Sequence, residues 1–134
     1  MKEERNILQE PLIAYENFQE SYYELASQAI SKTYIKGILA LTQIPLNEFI
    51  QLIPISIDTY KRKTIFNSSV TEKVLQIEEV YRRGLQAFGE GFHNWVNAEN
   101  SIFGGQKPKN LLSNSFGIRQ LLELIGRMEH GVLA

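Results

Sequence analysis

The stretch Ser69–Gly89, SVTEKVLQIEEVYRRGLQAFG, decides the fold class. Val70, Val74, Ile77, Tyr81, Leu85 and Phe88 step by 4, 3, 4, 4 and 3 residues, the spacing of an amphipathic helix. Ser69-Val70-Thr71-Glu72 has the form of a capping box, in which a hydroxyl and a carboxylate satisfy the free N–H groups of the first turn. Gly89 stands where a C′ glycine ends a helix. The pattern predicts one long helix over Val70–Phe88.

Elsewhere in the chain the same 3–4 spacing recurs and strand alternation is missing, so the predicted fold is all-α. Upstream, a helix is expected from about Leu12 to Ile30, with Pro11 at its first turn and Ile13, Phe18, Tyr22, Leu25, Ala26 and Ala29 on one face. A short helix follows over Tyr34–Leu41. Two very short ones come next. Leu46–Leu52 is opened by Pro45 and closed by Ile53-Pro54, because the residue before a proline is pushed out of the α region. Ile57–Thr64 is capped by Ser56. Helix, short turn, helix is the spacing of a helix-turn-helix. Downstream of Gly89, helices are predicted over Gly91–Glu99, from Pro108 through Leu111-Leu112, and over Phe116–His130. Phe103-Gly104-Gly105 marks a turn, and Ser113-Asn114-Ser115 a break and a cap. A soft boundary falls near Asn67-Ser68-Ser69.

Composition removes several function classes. The 134 residues include no Cys, which excludes disulfide frameworks, thiol nucleophiles and Cys-based zinc sites. His93 and His130 are 37 positions apart, and a catalytic zinc needs about three ligands, so no metal and no cofactor are expected. No nucleophile elbow, P-loop or paired-carboxylate spacing is present, and an enzyme is not expected. No apolar run reaches the roughly 18 residues of a membrane span. Met1-Lys2-Glu3-Glu4-Arg5 has mixed charge and no apolar block after it, unlike a secretory signal. A cytoplasmic protein is the expectation.

Net charge is −1, but it is unevenly spread. Residues 1–58 carry −4, Lys61, Arg62 and Lys63 carry +3, and residues 64–134 are balanced. The basic knot lies on the second helix of the Pro-bounded pair. Ser56, Thr59, Tyr60, Lys61, Arg62 and Lys63 are therefore the candidate DNA-binding residues, supplying hydroxyls and cations toward bases and phosphates. The alternative is a solvated helix end, since cations also favour helix C-termini. Three charges make a weak patch, and two copies in a homodimer make a stronger one.

The last 40 residues carry a further pattern: Trp95, Phe103-Gly104-Gly105, Pro108, Leu111-Leu112, then Gly126-Arg127-Met128-Glu129-His130-Gly131-Val132-Leu133. This resembles the toxin-binding domain of the Xre/MbcA/ParS-type antitoxins. There a Trp helix is followed by an aromatic or Leu, Gly-Gly, a spacer, Pro and Leu-Leu, and a final helix ends in Gly-Arg-Ile-Glu-His-Gly with an apolar tail. Met128 replaces Ile, and Glu99-Asn100-Ser101 departs from the usual Pro-Asn context. Upstream, Phe49–Arg62 with its Pro54-Ile55-Ser56 turn resembles the Xre-like helix-turn-helix of the same proteins. The resemblance covers about residues 33–134.

It implies an N-terminal helical extension (1–32), an Xre-like helix-turn-helix (33–68) and a small helical toxin-binding domain (69–134). It also implies the antitoxin of a type II pair. Such a protein occludes the active site of a RES-domain, NAD-consuming toxin and represses its own operon by binding operator DNA. The expected assembly is a homodimer through the N-terminal half. Trp95, Phe103, Gly104, Gly105, Pro108, Gly126, Arg127, Met128, Glu129, His130, Gly131, Val132 and Leu133 become the implied toxin-binding residues. Each also has a plain structural reading. Trp95 fits a core, Gly104-Gly105 a turn with positive φ, and Gly131 with Val132 a helix cap. Gly126 stands apart, because glycine inside a helix costs about 1 kcal/mol against alanine. A close backbone approach by another helix or by a partner explains it. The rival function is a stand-alone helix-turn-helix regulator, which leaves the apolar Val132-Leu133-Ala134 end without a role.

Overall fold

The computed structural model describes residues 7–9 and 21–131. The chain divides into two compact units, Met1–Glu78 and Glu79–Ala134. The described residues are mostly helical, with one small three-stranded sheet. Among them no helix is long and apolar enough to cross a membrane.

The first unit contains strand β1 (Ile7–Leu8), helix α1 (Ser21–Leu25), strand β2 (Ala29–Ser31), helices α2 (Lys32–Thr42), α3 (Leu46–Ile50) and α4 (Ile57–Arg62), and strand β3 (Ile65–Phe66). Helix α5 (Ser68–Phe88) begins here and continues into the second unit. β1 pairs parallel to β2, with Ile7 opposite Ala29, and β3 pairs antiparallel to it, with Ile30 opposite Phe66. The predominantly helical fold agrees with the expectation, and the small sheet is an addition to it. The helix predicted over Leu12–Ile30 ends at Leu25, and Ala29–Ser31 is instead the central strand; Pro11, Ile13 and Phe18 lie outside the described residues. Strands of two or three residues are too short for alternation to register in the sequence. The same sheet shortens α4. Lys63 is extended, the Lys32 N–H donates to the Thr64 carbonyl at 2.8 Å, and Ile65-Phe66 joins β2.

Local chemistry fixes each boundary. Ser31 ends β2 and caps α2. Its hydroxyl accepts from the Tyr34 N–H at 3.1 Å and donates to the Gln9 carbonyl at 3.3 Å. Leu52 and Ile53 bond back to Phe49 and Ile50, a tightened turn that stops α3 before Pro54. At the start of α5 the cap is Asn67 rather than the predicted Ser69 box. The Asn67 side chain accepts from the N–H groups of Ser69 (3.1 Å) and Val70 (3.4 Å). Val70, Val74 and Ile77 are buried as the stripe predicts, but Thr71, Leu75, Glu78 and Val80 are buried too. The helix is therefore covered over most of its circumference. Glu78 is completely buried, and the Tyr34 hydroxyl donates to its Oε1 at 2.5 Å, which offsets the cost of removing a carboxyl group from water.

The second unit holds the rest of α5, helix α6 (Gly91–Asn97), two 3-10 helices (Ser101–Phe103 and Pro108–Ser113) and helix α7 (Ser115–Glu129). Gly89, at φ +66°, closes α5, and its N–H donates to the Leu85 carbonyl at 2.7 Å. The Asn114 side chain caps α7 by accepting from the Gly117 N–H at 3.0 Å. Tyr81, Phe92, Val96, Leu112, Ile118, Leu121 and Ile125 are buried in this unit.

Two glycines here are required by close approach. A Cβ at Gly84 would run into the Phe92 ring, and one at Gly117 would run into the Leu111 carbonyl. Gly84→Ala is expected to destabilise by about 1–3 kcal/mol, the usual range for overpacking. Gly117→Ala should cost more, because its obstacle is backbone and cannot rotate away. Urea denaturation of both variants checks the order.

Candidate functional site

In the second unit an aromatic column leads from the core to the surface. Tyr81 meets Phe92 edge-on, with centroids 5.4 Å apart. Phe88, Phe92 and Trp95 stack on one another at 5.6–5.8 Å, separations at which ring pairs attract. Trp95 then meets Phe103 edge-on at 6.3 Å. Phe103 ends the first 3-10 helix, and Gly104 and Gly105, at φ +69° and +88°, turn the chain back. Asn100 closes this loop. Its side chain accepts from the Ile102 N–H at 2.9 Å, and its carbonyl accepts from Phe103 at 3.1 Å and Gly105 at 2.9 Å.

Beside the loop lies a groove of about 240 Å³, lined by Ile102, Phe103, Gln120, Glu123, Leu124 and Arg127. Ile102 is 54% exposed at its rim. Glu123 and Arg127 are one helical turn apart on α7, and both are exposed. The groove joins an apolar floor to one anion and one cation, an arrangement suited to a protein partner.

Residues 84–131 match the family described as the antitoxin Xre/MbcA/ParS C-terminal toxin-binding domain. This part of the chain is similar to that domain. Residues 1–83 lie outside the match, and no curated protein matches the chain.

The second unit brings some of the implied residues together and separates others. Phe103 and Arg127 line the groove, with Gly104 and Gly105 shaping the loop beside it. Trp95 supports Phe103 from behind. Pro108 is buried at the start of the second 3-10 helix. Glu129 is engaged within the domain, 3.0 Å from the Arg83 guanidinium. Met128 is half-buried, His130 is exposed at the end of α7, and Gly131 has φ +76°. Val132 and Leu133 lie outside the described residues. A Cβ at Gly126 would stand 3.3 Å from Nη2 of Arg83, the flexible end of a side chain, so this neighbour is close but does not require glycine. Sequence reasoning missed Arg83, Asn100 and Ile102. Arg83 lies 46 residues from Glu129, a separation at which no local spacing rule applies.

In the first unit, the basic knot is seated on α4. Ser56 caps the helix by accepting from the Thr59 N–H at 3.1 Å, and its hydroxyl donates to Thr59 Oγ1 at 3.0 Å. Tyr60 is a core residue. It is 5% exposed and stacks on Phe66 at 5.8 Å, which leaves its ring no free face for a ligand. Lys61, Arg62 and Lys63 are exposed. Sequence reasoning did not find Lys32 here. Its ammonium sits 4.8 Å from the centre of the Tyr60 ring and donates to the Lys61 carbonyl at 3.3 Å. A fourth cation therefore joins the three of the knot.

Gly126→Ala is expected to fold and to gain up to about 1 kcal/mol from helix propensity, because the flexible Arg83 tip can yield by a few tenths of an ångström; thermal melting checks this. Burial raises the Tyr60 phenol above its ordinary value of about 10. The folded state then holds this proton more tightly than the unfolded chain. The stabilisation is complete below pH of about 10 and is lost as pH rises toward the raised value. Parent stability should fall more steeply above pH of about 10 than that of Tyr60→Phe, measured as the urea midpoint against pH.

Proposed function

We propose that this chain is the antitoxin of a type II toxin–antitoxin pair. Its toxin-binding domain neutralises a RES-domain, NAD-consuming toxin by occluding the active site, and its N-terminal part represses the operon. In this reading the protein is a cytoplasmic regulator and not an enzyme. Residues 1–32 form an extension, residues 33–68 the Xre-like helix-turn-helix, and residues 69–134 the toxin-binding part. The observation that carries the toxin reading is the family match over 84–131. It is supported by a groove with an exposed isoleucine, an anion and a cation on its walls.

Operator binding is assigned to α3 and α4. Support comes from two short helices in succession, joined by residues 51–56, from half-buried Thr59 in the first turn of α4, and from Lys61, Arg62 and Lys63 in solvent at its end. Lys32 adds a fourth charge to the same patch. Each cation that neutralises a phosphate releases counterions, so affinity falls with salt roughly in proportion to the number of contacts. Two half-sites read by a homodimer, formed through the N-terminal half, double that number.

Co-expression with the neighbouring reading frame tests the toxin role: growth should be rescued by the parent chain and lost without it. The triple variant Lys61→Ala, Arg62→Ala, Lys63→Ala should still rescue growth. It should lose operator binding in a gel shift and flatten the dependence of log K on log salt by about 2–3 per subunit. A triple variant that shifts operator DNA as the parent does removes α4 as the reader. A stand-alone regulator would bind operator DNA and rescue nothing.

A further inference from the structure

We propose that the toxin docks on the groove between the Ser101–Phe103 turn and α7, with Ile102 as its apolar anchor and Arg127 as its charged one. This rests on the toxin-binding reading of the domain.

Two large apolar side chains are left exposed among the described residues of this unit, Ile102 (54%) and Phe116 (73%). They differ in what covers them. The Arg119 guanidinium lies 5.4 Å from the centre of the Phe116 ring, a cation–π contact supplied by its own helix. Ile102 sits at the groove rim with no such cover among the described residues, and the chain holds it there firmly. Its N–H is bonded to the Asn100 side chain, the Asn100 carbonyl closes the turn through Phe103 and Gly105, and Phe103 leans on Trp95. A side chain fixed in its exposed position loses little further freedom when a partner covers it, and such preorganised apolar groups dominate interface energetics.

The groove itself suits a protein side chain. At about 240 Å³ it is smaller than the roughly 300–1,000 Å³ of small-molecule and cofactor pockets. It fits one partner side chain on the Leu124 and Phe103 floor. Arg127 and Glu123 form no ion pair with each other or with any other described residue. Arg127 is therefore available for a bidentate bond to a carboxylate of the toxin, and Glu123 for a donor beside it. Glu129, by contrast, is held by Arg83 and makes no first contact. The docking face thus runs along the outer side of α7 and includes Ile102, which lies outside the terminal Gly126–Leu133 segment.

The test uses the full chain and the purified product of the neighbouring reading frame, with affinity read by titration calorimetry and folding by circular dichroism. Ile102→Asp and Arg127→Glu should each weaken binding by at least about 30-fold, the scale of an interface hot spot, with melting unchanged. Ile102→Ser, a milder change at an exposed position, should weaken it by about 10-fold. Reversing one acidic residue of the toxin to Arg should restore binding to Arg127→Glu alone. Parent-like affinity in all three variants overturns the docking surface while leaving the toxin reading intact. A parent chain that does not bind the neighbouring product overturns the toxin reading itself. Conversion of a dimer to a monomer by Ile102→Asp, with toxin affinity retained, makes the groove a self-interface and overturns the proposal.

Discussion

The Phe92 ring lies against the backbone of α5 at Gly84, where no side chain larger than hydrogen fits. The rest of the second unit is arranged around this contact. It brings α6 close enough for Phe92 to meet Tyr81 on one edge and to stack with Phe88 and Trp95. Trp95 then reaches Phe103. A loop with two left-handed glycines is in this way tied to a buried core by a column of five ring contacts. Its exposed isoleucine consequently occupies a defined position, and a binding surface made from a short turn acquires the precision of a helix-borne one.

The first unit solves a different problem with polar groups. Its strands have two or three residues each, too few to hold a sheet by ladder bonds alone. Ser31 joins the central strand to α2 through its hydroxyl and also reaches the segment after β1 at Gln9. The Tyr34 hydroxyl continues the chain of bonds to Glu78. Lys32 ties the start of α2 to the end of α4 through the Lys61 carbonyl. Ser31, Lys32 and Tyr34, at the β2–α2 junction, thus anchor three parts of the unit. The basic face is part of the same framework, because the cation on the Tyr60 ring also caps the helix that presents Lys61 and Arg62.

Long-period features could be read directly from the sequence. The 3–4 spacing of Val70 to Phe88, Gly89 as the helix stop, the turn at Gly104-Gly105 and the break at Asn114 all have strong local causes. Features that depend on distant partners could not. The Asn67 cap competes with the equally plausible Ser69 box two residues later, and the choice depends on where α5 meets β3. The sheet is set by tertiary pairing of Ile30 with Phe66, 36 positions away. Tyr60 looks like a polar group beside a basic run, yet its ring belongs to the core because Phe66 lies against it. Gly126 has Arg83 as its near neighbour, from the other end of the unit, yet a flexible guanidinium leaves room for alanine. Within the candidate groove, Phe103 and Arg127 were recognisable through family resemblance. Ile102 was not, since an isoleucine in a short turn carries no sign of its exposure.

The family match begins at Gly84, yet Tyr81 and Arg83 stand just before it and take part in the same unit. The segment that relatives share is therefore shorter than the segment that folds. A fragment cut at the start of the match would lose the ring that meets Phe92 and the guanidinium that reaches Glu129. Gene fusions that exchange this module among different N-terminal parts would need to carry at least one further helical turn of α5. Recombination inside that turn would join a recognisable module to a helix that no longer supports it.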